Sequence, residues 1–510
     1  LDTGAEVMGG YQIIISGNVM AAMLMLAAIL VTVWRAKDYP CSLSRKIKRR
    51  GLSVFIAVYA MLIFINSQPE KIYDSWEPTN NQYITAFFTN VKLQYVPSPE
   101  GYTSQEVKTI VDEHQPEEKN EKTGTNTQAT GDDNGGTIKT NSKKPTIIVV
   151  MNESFSDPAI IGDFETNEDY MPFVHSLSKN TTKGKLYVDV LGGGTCNTEY
   201  SFLTGNSTAF VPQNARPYQM YVNSDTSSLA KNLKSQGYDT YAMHPGESFA
   251  WNRENVYRDF GFDESFFAEE SYETLEMTRQ FVSDQSTYSK IIQLYKNRGD
   301  DPQFIFDVTI ANHGGYNIGT EGLDQIKLEG CDQNYPDVEE YLTLIKKSDK
   351  EIQNLVEYFS EESDPVAIVF FGDHQPNLDE NFFGEIKNKP VSEWTNEELQ
   401  MRYITPFFIW TNYDSKEESD VHMSVNYLQE TVLNKLGLQT TAYDNYQKDI
   451  FSQMPVVDTK GVIDGDGQYQ TLEQALKSNN VLQDYQKVLY NNMFDSKNRC
   501  VDLYNLPETK

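Results

Sequence analysis

The stretch PTIIVVMNESF, residues 145–155, joins an apolar, β-branched run to a polar end. Five consecutive apolar residues, Ile147–Met151, are followed directly by Asn152 and Glu153. A strand that is apolar along its whole length is typical of a parallel sheet covered on both faces, where ligands collect at the carboxyl ends of the strands. The stretch therefore predicts an α/β domain with functional side chains where this strand ends.

Further runs of the same kind recur downstream and predict the other strands of the sheet. They are KGKLYVDVL (183–191), GYDTYAMH (237–244), PQFIFDVTIANH (302–313), PVAIVFFGDH (365–374) and YITPFFIWTN (403–412). The stretches between them predict helices over Thr226–Ser235, Glu269–Asn297 and Asp337–Phe359, and the C-terminal segment predicts an amphipathic helix near Leu472–Phe494. This alternation predicts a mostly parallel central sheet flanked by helices.

Two apolar runs near the N-terminus predict transmembrane helices. Tyr11–Trp34 contains no charged residue and is long enough to cross a bilayer, and Leu52–Ile65 is a shorter second span. The loop between them is basic, which is typical of a cytoplasmic loop; its cations are Arg35, Lys37, Arg45, Lys46, Lys48, Arg49 and Arg50. A cleaved signal peptide is the alternative, but two runs and a basic loop fit it poorly.

These features divide the chain into four segments. We expect two transmembrane helices in 1–66, as part of a larger membrane domain, and a membrane-proximal connector with a flexible linker in 67–144. The catalytic domain would span 145–455, and a C-terminal extension in 456–510 would pack on it. This order predicts a multi-pass protein of the cell membrane whose catalytic domain is extracellular.

Net charge and cysteine content limit the partners. The formal net charge of -30 argues against nucleic acid, because phosphate backbones are bound by clusters of Lys and Arg. A negatively charged lipid must therefore be held by a local site. The 4 cysteines provide neither a disulfide framework nor a Cys-based zinc site.

Acidic and imidazole side chains follow several predicted strands. Glu153 follows the first strand, Asp373 and His374 follow another, and His313 and His244 stand at two further strand ends. A single strand-end histidine is more often structural, but carboxylates and imidazoles that converge at one sheet edge suit a divalent cation. The pattern predicts a metal site.

The segment LGGGTCNTEY places Thr195 after Gly192, Gly193 and Gly194 and at the start of a predicted helix. Glycines let the backbone approach a phosphate, and a helix N-terminus offers free N–H donors. Coordination to a divalent cation would stabilise the alkoxide of a threonine and make it a nucleophile. The alternative is an ordinary turn with Thr195 or Thr198 as a helix cap.

The segment HPGESFAWNRENVYRDFGFD, residues 244–263, brings His244, Trp251 and Arg253 into one loop region. An arginine fork binds phosphate oxygens in pairs, and a tryptophan edge can frame a small polyol. These residues are candidates for substrate binding. The alternative is a core tryptophan with a surface arginine.

Taken together, the motifs NESF, GGTCNTEY, the 244–263 segment, IANHGGY and FGDHQP resemble the lipoteichoic acid synthases and related phosphoglycerol transferases of the alkaline-phosphatase/sulfatase superfamily. The resemblance spans about Pro145 to Gln453. It implies that Glu153, Thr195, Asp373 and His374 hold one divalent metal, usually Mn²⁺ in this family and with Mg²⁺ as the alternative, and that Thr195 is the nucleophile. It further implies His313 as acid/base, with His244, Trp251 and Arg253 binding glycerophosphate.

The resemblance also implies a reaction and its partners. The chain would move glycerophosphate from a phosphatidylglycerol-like membrane lipid to a cell-surface polymer or glycan, through a covalent intermediate on Thr195. It departs from the family at Gly194, where lysine is usual, and at Gly246, where an acidic residue is common.

Three alternatives stay open. The first is transfer of phosphoethanolamine or another phospho head group, and the second is hydrolysis of a phosphodiester or sulfate ester. The formylglycine chemistry of sulfatases lacks its Cys-x-Pro-x-Arg motif, because Cys196 is followed by Asn-Thr-Glu. The third is a catalytically idle surface receptor that binds polymer or lipid.

Overall fold

The structure, a computed structural model, describes residues 95–112, 143–212, 215–268, 271–273, 275–316, 323 and 325–506. Contacts divide the chain into two units, one formed by Ser98–Phe210 with Arg216–Lys510 and the other by Leu1–Pro97 with Val211–Ala215. All that follows concerns the first of these units. The predicted spans and their basic loop lie outside the described residues.

Short and long strands alternate with helices along this unit. The strands are β1 Thr146–Asn152, β2 Glu165–Thr166, β3 Thr181–Tyr187, β4 Asp239–His244, β5 Glu264–Phe267, β6 Met277–Thr278, β7 Phe281–Val282, β8 Gln303–Val308, β9 Leu328–Glu329, β10 Val366–Gly372, β11 Ile404–Thr411, β12 Glu418–Ser424, β13 Val456–Val457, β14 Val462–Ile463 and β15 Tyr469–Gln470.

Eight of these strands form the central sheet, in the order β12-β3-β11-β10-β1-β8-β4-β5. Neighbours from β10 to β5 pair in parallel, and β12 pairs in parallel with β3. Only β11 runs against its neighbours β10 and β3 among the described strands of this sheet. The predicted α/β fold with a mostly parallel central sheet is confirmed.

Helices connect the strands and cover the sheet. They are α1 Ser104–Asp112, α2 Pro172–Ser176, α3 Thr195–Thr204, α4 Pro217–Met220, α5 Leu229–Ser235, α6 Arg253–Asp259, α7 Asp284–Lys296, α8 Pro336–Ser360, α9 Glu380–Ile386, α10 Asn396–Gln400, α11 Val425–Lys435, α12 Ala442–Gln453, α13 Leu472–Ser478, α14 Asn480–Met493 and α15 Val501–Tyr504.

The core lies on both faces of the sheet, because successive side chains of a strand point to opposite sides. In β1, Ile147 and Val149 join a cluster with side chains of α3, α5, α11 and α14. Ile148 and Val150 join the other cluster, with α7 and α8. All seven residues of β1 are buried, which explains its continuous apolar sequence.

Two predicted helices differ from the structure. The helix expected over Glu269–Asn297 is wrong in its first half, where β6 and β7 pair as a hairpin and α7 begins only after the cap Ser283. The C-terminal helix expected over Leu472–Phe494 is two helices, because Asn479 ends α13 and its side chain caps the start of α14. Both breaks follow from side-chain capping, which satisfies free N–H groups at a new helix start.

Within the described residues, no helix combines the length and the apolar character needed to cross a bilayer. The two spans predicted from the sequence therefore stay predictions.

Gly372 ends β10 next to Asp373 and provides a test of this packing. A Cβ at this position would overlap the backbone carbonyl oxygen of Phe155. We expect Gly372→Ala to lower the free energy of unfolding by about 1–3 kcal/mol or more, because neither backbone can yield without strain. Thermal unfolding measures this loss.

Gly299→Ala is the matched control, because an added Cβ there meets no atom within 4 Å. Equal melting temperatures for the two variants would contradict the close packing of β10 against Phe155.

Candidate active site

The register of β1 against β10 brings the predicted metal ligands together. Asn152 pairs with Gly372, so Glu153 and Asp373 are the next residues along two parallel neighbours. Glu153, Asp373 and His374 are 6%, 0% and 2% exposed. Three ionisable side chains are thus buried at one point of the sheet edge.

Donor atoms of these three residues converge. One ligand atom from each lies within 4.8 Å of the others. His374 Nε2 lies 3.3 Å from Asp373 Oδ2 and 3.7 Å from Glu153 Oε1. His374 Nδ1 donates to the carbonyl oxygen of Gln375 at 3.0 Å, which leaves Nε2 with a free lone pair.

Two of these donor atoms fit a cation especially well. Asp373 Oδ2 and His374 Nε2 are buried and have no hydrogen-bond partner in the described residues. Burial raises the pKa of Asp373, and the neighbouring Glu153 carboxylate raises it further. Two buried carboxylates repel each other, and a divalent cation would relieve this repulsion. The cation would also provide the unpartnered oxygen and nitrogen atoms with a partner. The site therefore fits a divalent metal.

Thr195 lies beside this cluster as the first residue of α3. Gly192, Gly193 and Gly194 precede it with φ values of 65°, 143° and 90°, which side chains rarely adopt. Gly194 occupies the cap position, so neither Thr195 nor Thr198 is the helix cap. The Thr195 side chain lowers the pKa of Asp373, so it lies close to this carboxylate.

His244 ends β4 and is 5% exposed. Its Nδ1 donates to the carbonyl oxygen of Val308 at 2.9 Å, and burial lowers its pKa well below the ordinary value. Nε2 is therefore an acceptor. A Cβ at Gly246 would lie 2.5 Å from Nε2, so an acidic side chain at 246 would displace the ring.

His313 follows β8 on an exposed turn. Its ring contacts Phe281, with centroids 5.4 Å apart, and Arg279 holds its carbonyl oxygen at 2.7 Å. Partial burial of the ring lowers the pKa of His313, and the nearby His374 lowers it further. A neutral imidazole at the rim of the cluster is a position from which a proton can be exchanged with a reacting oxygen.

Arg253 is buried, and part of its guanidinium is occupied by a carboxylate. It is 2% exposed, and its Nε and Nη2 donate to Glu199 Oε1 at 3.0 and 2.6 Å. Tyr218 and Tyr257 donate to Oε2 of the same carboxylate at 3.1 and 2.7 Å. Glu199 lies on α3, so the pair ties the helix of Thr195 to α6. A phosphate-binding role for Arg253 stays a prediction.

Trp251 is half-buried in a turn with unusual backbone geometry. Trp251 and Asn252 have φ values of 58° and 64°, in the left-handed region. Such residues cost about 1–3 kcal/mol each and persist where the surroundings impose them. The Trp251 ring faces the guanidinium of Arg216, at 5.7 Å from its centroid. The sequence offered no spacing that would have singled out Arg216.

A buried polar network lies behind the metal cluster, and its hub is Asp284. Asp284 Oδ2 accepts from Asn152 Nδ2 at 2.7 Å and from Ser348 Oγ at 2.6 Å. Asn312 Nδ2 in turn donates to Asn152 Oδ1 at 2.9 Å. Asn152 precedes Glu153 and Asn312 precedes His313, so the network fixes two strand ends. Because the sequence predicts one helix over Glu269–Asn297, it places Asp284 inside that helix, whereas in the structure Asp284 is the first residue of α7.

Residues 145–438 match the profile of the family described as Sulfatase, which is more than half of the chain. The chain belongs to this family. The matched segment contains all the candidate site residues described above.

Curated relatives include a putative glucan modification protein and a lipoteichoic acid synthase. The chain is 28% identical over 412 residues to a putative cyclic beta-1,2-glucan modification protein of Rhizobium meliloti, covering 78% of this chain and 60% of that protein. It is 23% identical over 331 residues to the lipoteichoic acid synthase of Staphylococcus saprophyticus, covering 61% of this chain and 48% of the synthase. The chain thus spans about half to three fifths of these relatives.

Among solved structures, the phosphoglycerol transferase GacH of Streptococcus pyogenes, in complex with sn-glycerol-1-phosphate, superposes with a TM-score of 0.59 at 19% identity. The match covers 78% of this chain and 95% of that chain. It shows the shared fold. The resemblance to this group of the alkaline-phosphatase/sulfatase superfamily, predicted from the motifs, is confirmed.

Asp284 provides a test of how the cluster is positioned. We expect Asp284→Ala to weaken Mn²⁺ binding by about 10-fold or more, because loss of a group behind the ligands lets Glu153 move. Asp284→Asn keeps one acceptor oxygen, so its affinity for Mn²⁺ should lie between those of Asp284→Ala and the parent chain. Isothermal titration of the full chain with Mn²⁺ measures the affinity.

Asp502→Ala removes the same charge from the first turn of α15, where the residue is exposed, and should leave the affinity unchanged. If Asp284→Ala binds Mn²⁺ as tightly as the parent chain, the network does not position the cluster.

Proposed function

We propose that this chain is a membrane-anchored phosphoglycerol transferase that carries glycerophosphate from a phosphatidylglycerol-like lipid to a cell-surface glycan or polymer. The observation that carries the proposal is the Thr195 side chain close to Asp373, beside the unpartnered donor atoms Asp373 Oδ2 and His374 Nε2. A nucleophile at a helix N-terminus next to a cation site suits attack on phosphorus.

Glu153, Asp373, His374 and the Thr195 hydroxyl would hold one divalent cation, and we propose Mn²⁺, with Mg²⁺ as the alternative. Oxygen donors with one imidazole suit either ion. When bound, the cation would act as a Lewis acid that lowers the pKa of the coordinated hydroxyl and neutralises charge on the phosphate.

In the first half of the reaction, Thr195 Oγ1 forms a bond to phosphorus while the bond from phosphorus to the diacylglycerol oxygen breaks. The hydroxyl proton of Thr195 passes to the neutral imidazole of His313, which then gives this proton to the departing oxygen. The products are diacylglycerol and a glycerophosphoryl ester on Thr195.

In the second half, a hydroxyl of the acceptor attacks the same phosphorus. The now neutral His313 takes the proton of this hydroxyl, and the bond from phosphorus to Thr195 Oγ1 breaks. Thr195 regains a proton, so both side chains return to their starting states. His244, with Nε2 as an acceptor, and Trp251 would orient the glycerol hydroxyls.

The nature of the acceptor is supported by the relatives' names. One relative is named a putative cyclic beta-1,2-glucan modification protein and another a lipoteichoic acid synthase, so both names refer to a carbohydrate or a polymer. These activities belong to longer proteins, and their transfer to this chain is part of the proposal. Anchoring through 1–66, with a linker in 67–144, would let the 145–455 domain and its 456–510 extension reach the lipid from the extracellular side.

Thr195 provides the direct test. The full chain with Mn²⁺, incubated with vesicles that contain fluorescent phosphatidylglycerol, should release fluorescent diacylglycerol and gain one glycerophosphoryl group on Thr195. Thr195→Ala should show no adduct and a turnover lower by about 10³-fold or more, because the nucleophile is lost. Mass spectrometry and lipid chromatography measure the two results.

Thr204→Ala is the control, since Thr204 ends the same helix and its hydroxyl donates to the carbonyl oxygen of Tyr200 at 2.7 Å. Adduct formation with phosphatidylethanolamine alone would indicate a phosphoethanolamine transferase. Release of glycerophosphate without an adduct would indicate a hydrolase, and Mn²⁺ binding with no lipid turnover would favour a receptor.

A further inference from the structure

Arg216 lies next to the first turn of the helix that carries Thr195. Its Nη2 is 3.8 Å from the position that a Cβ on Gly194 would take, and Gly194 immediately precedes Thr195. The three glycines before Thr195 have no side chains, so they leave the space at this helix start to the guanidinium. Arg216 is half-buried, whereas Arg253 is 2% exposed.

Arg253 is the other arginine next to this helix. It is buried and paired with Glu199, so its guanidinium is occupied inside the protein. Arg216 reaches the helix start from the partly exposed side, where a ligand can approach.

Trp251 orients the guanidinium of Arg216. The ring centroid lies 5.7 Å from Cζ, which is within the range of a cation–π contact. The left-handed backbone of Trp251 and Asn252 holds the ring in this place. An aromatic ring on the face of a guanidinium leaves the N–H groups at its edge directed sideways, where phosphate oxygens bind them.

The negative charge of the chain and of the metal cluster favours a cationic side chain near the substrate phosphate. The chain has a formal net charge of -30, and the metal cluster itself contains two carboxylates. An anionic phosphodiester is therefore repelled by the protein as a whole, and a guanidinium beside the nucleophile would add to the attraction that a divalent cation provides. Lysine at 194 cannot supply this positive charge, because this position is glycine with φ of 90°.

We propose that Arg216 is a substrate-binding residue that contacts the non-bridging oxygens of the donor phosphate beside Thr195, with Trp251 holding its guanidinium in place. This inference rests on the proposed phosphotransferase function and names a further residue of the same site.

Two measurements on the full chain with Mn²⁺ test it. Isothermal titration with sn-glycerol 1-phosphate measures anion binding without turnover, and diacylglycerol release from phosphatidylglycerol vesicles measures kcat/KM. We expect Arg216→Ala to lower both, with kcat/KM reduced by about 100-fold, as on loss of one donor to a developing anion. Arg216→Lys should recover part of the loss, and added guanidinium chloride should partly rescue Arg216→Ala.

Arg258→Ala is the matched control. Arg258 is an exposed residue of α6 whose Nη2 donates to Asn255, so its removal changes the net charge equally and should alter neither measurement. Arg216→Gln, similar in length and polarity, serves as a second variant that preserves local packing and should bind the anion as weakly as Arg216→Ala. Mn²⁺ titration of each variant confirms an intact cluster.

The outcomes separate the inference from the function on which it rests. If the parent chain binds glycerol phosphate and turns over lipid, and Arg216→Ala and Arg216→Gln do both equally well, Arg216 is not a phosphate ligand. A parent chain that binds the anion through Arg216 but turns over no lipid supports the binding role and contradicts the transferase. A loss in Arg216→Ala that Arg216→Lys and guanidinium both fail to restore would overturn the binding role.

Discussion

The pairing of Asn152 with Gly372 is the constraint on which the site depends, because it sets where Glu153 and Asp373 emerge from two parallel strands. A shift of this register by one residue would exchange the faces of β10 and separate the two carboxylates. The apolar residues of both strands prevent such a shift, since every residue of each strand is buried. Packing of the sheet thus enforces the close approach of two like charges.

The two carboxylates can lie close together because neighbouring groups donate hydrogen bonds to Asp373. The backbone N–H groups of Ser154 and His374 donate to Asp373 Oδ1 at 2.7 and 2.8 Å, so one oxygen of the carboxylate is fully occupied. The other oxygen stays unpartnered beside His374 Nε2. A buried carboxylate with one satisfied and one unpartnered oxygen can offer the free oxygen to a metal ion, and here an unpartnered histidine nitrogen lies 3.3 Å from it.

Much of the fold and of this cluster could be predicted from the sequence, because both follow from local patterns. Continuous apolar runs predict the central strands, and the polar residues directly after two of these runs are Glu153, Asp373 and His374. The residues that the pattern missed act over long sequence distances. Asp284 reaches Asn152 across 132 positions, and no spacing in the sequence indicates such a contact. Arg216 precedes a helix of only four residues, and the fold alone places it beside Gly194.

We propose above all that Glu153, Thr195, Asp373 and His374 form a single site for a divalent cation. Anomalous diffraction from crystals of the protein grown with Mn²⁺ tests this most directly. We expect one strong manganese peak within coordination distance of Glu153, Asp373, His374 and the Thr195 hydroxyl. A well-ordered cluster with no peak, or a peak that excludes Asp373 and His374, would contradict it.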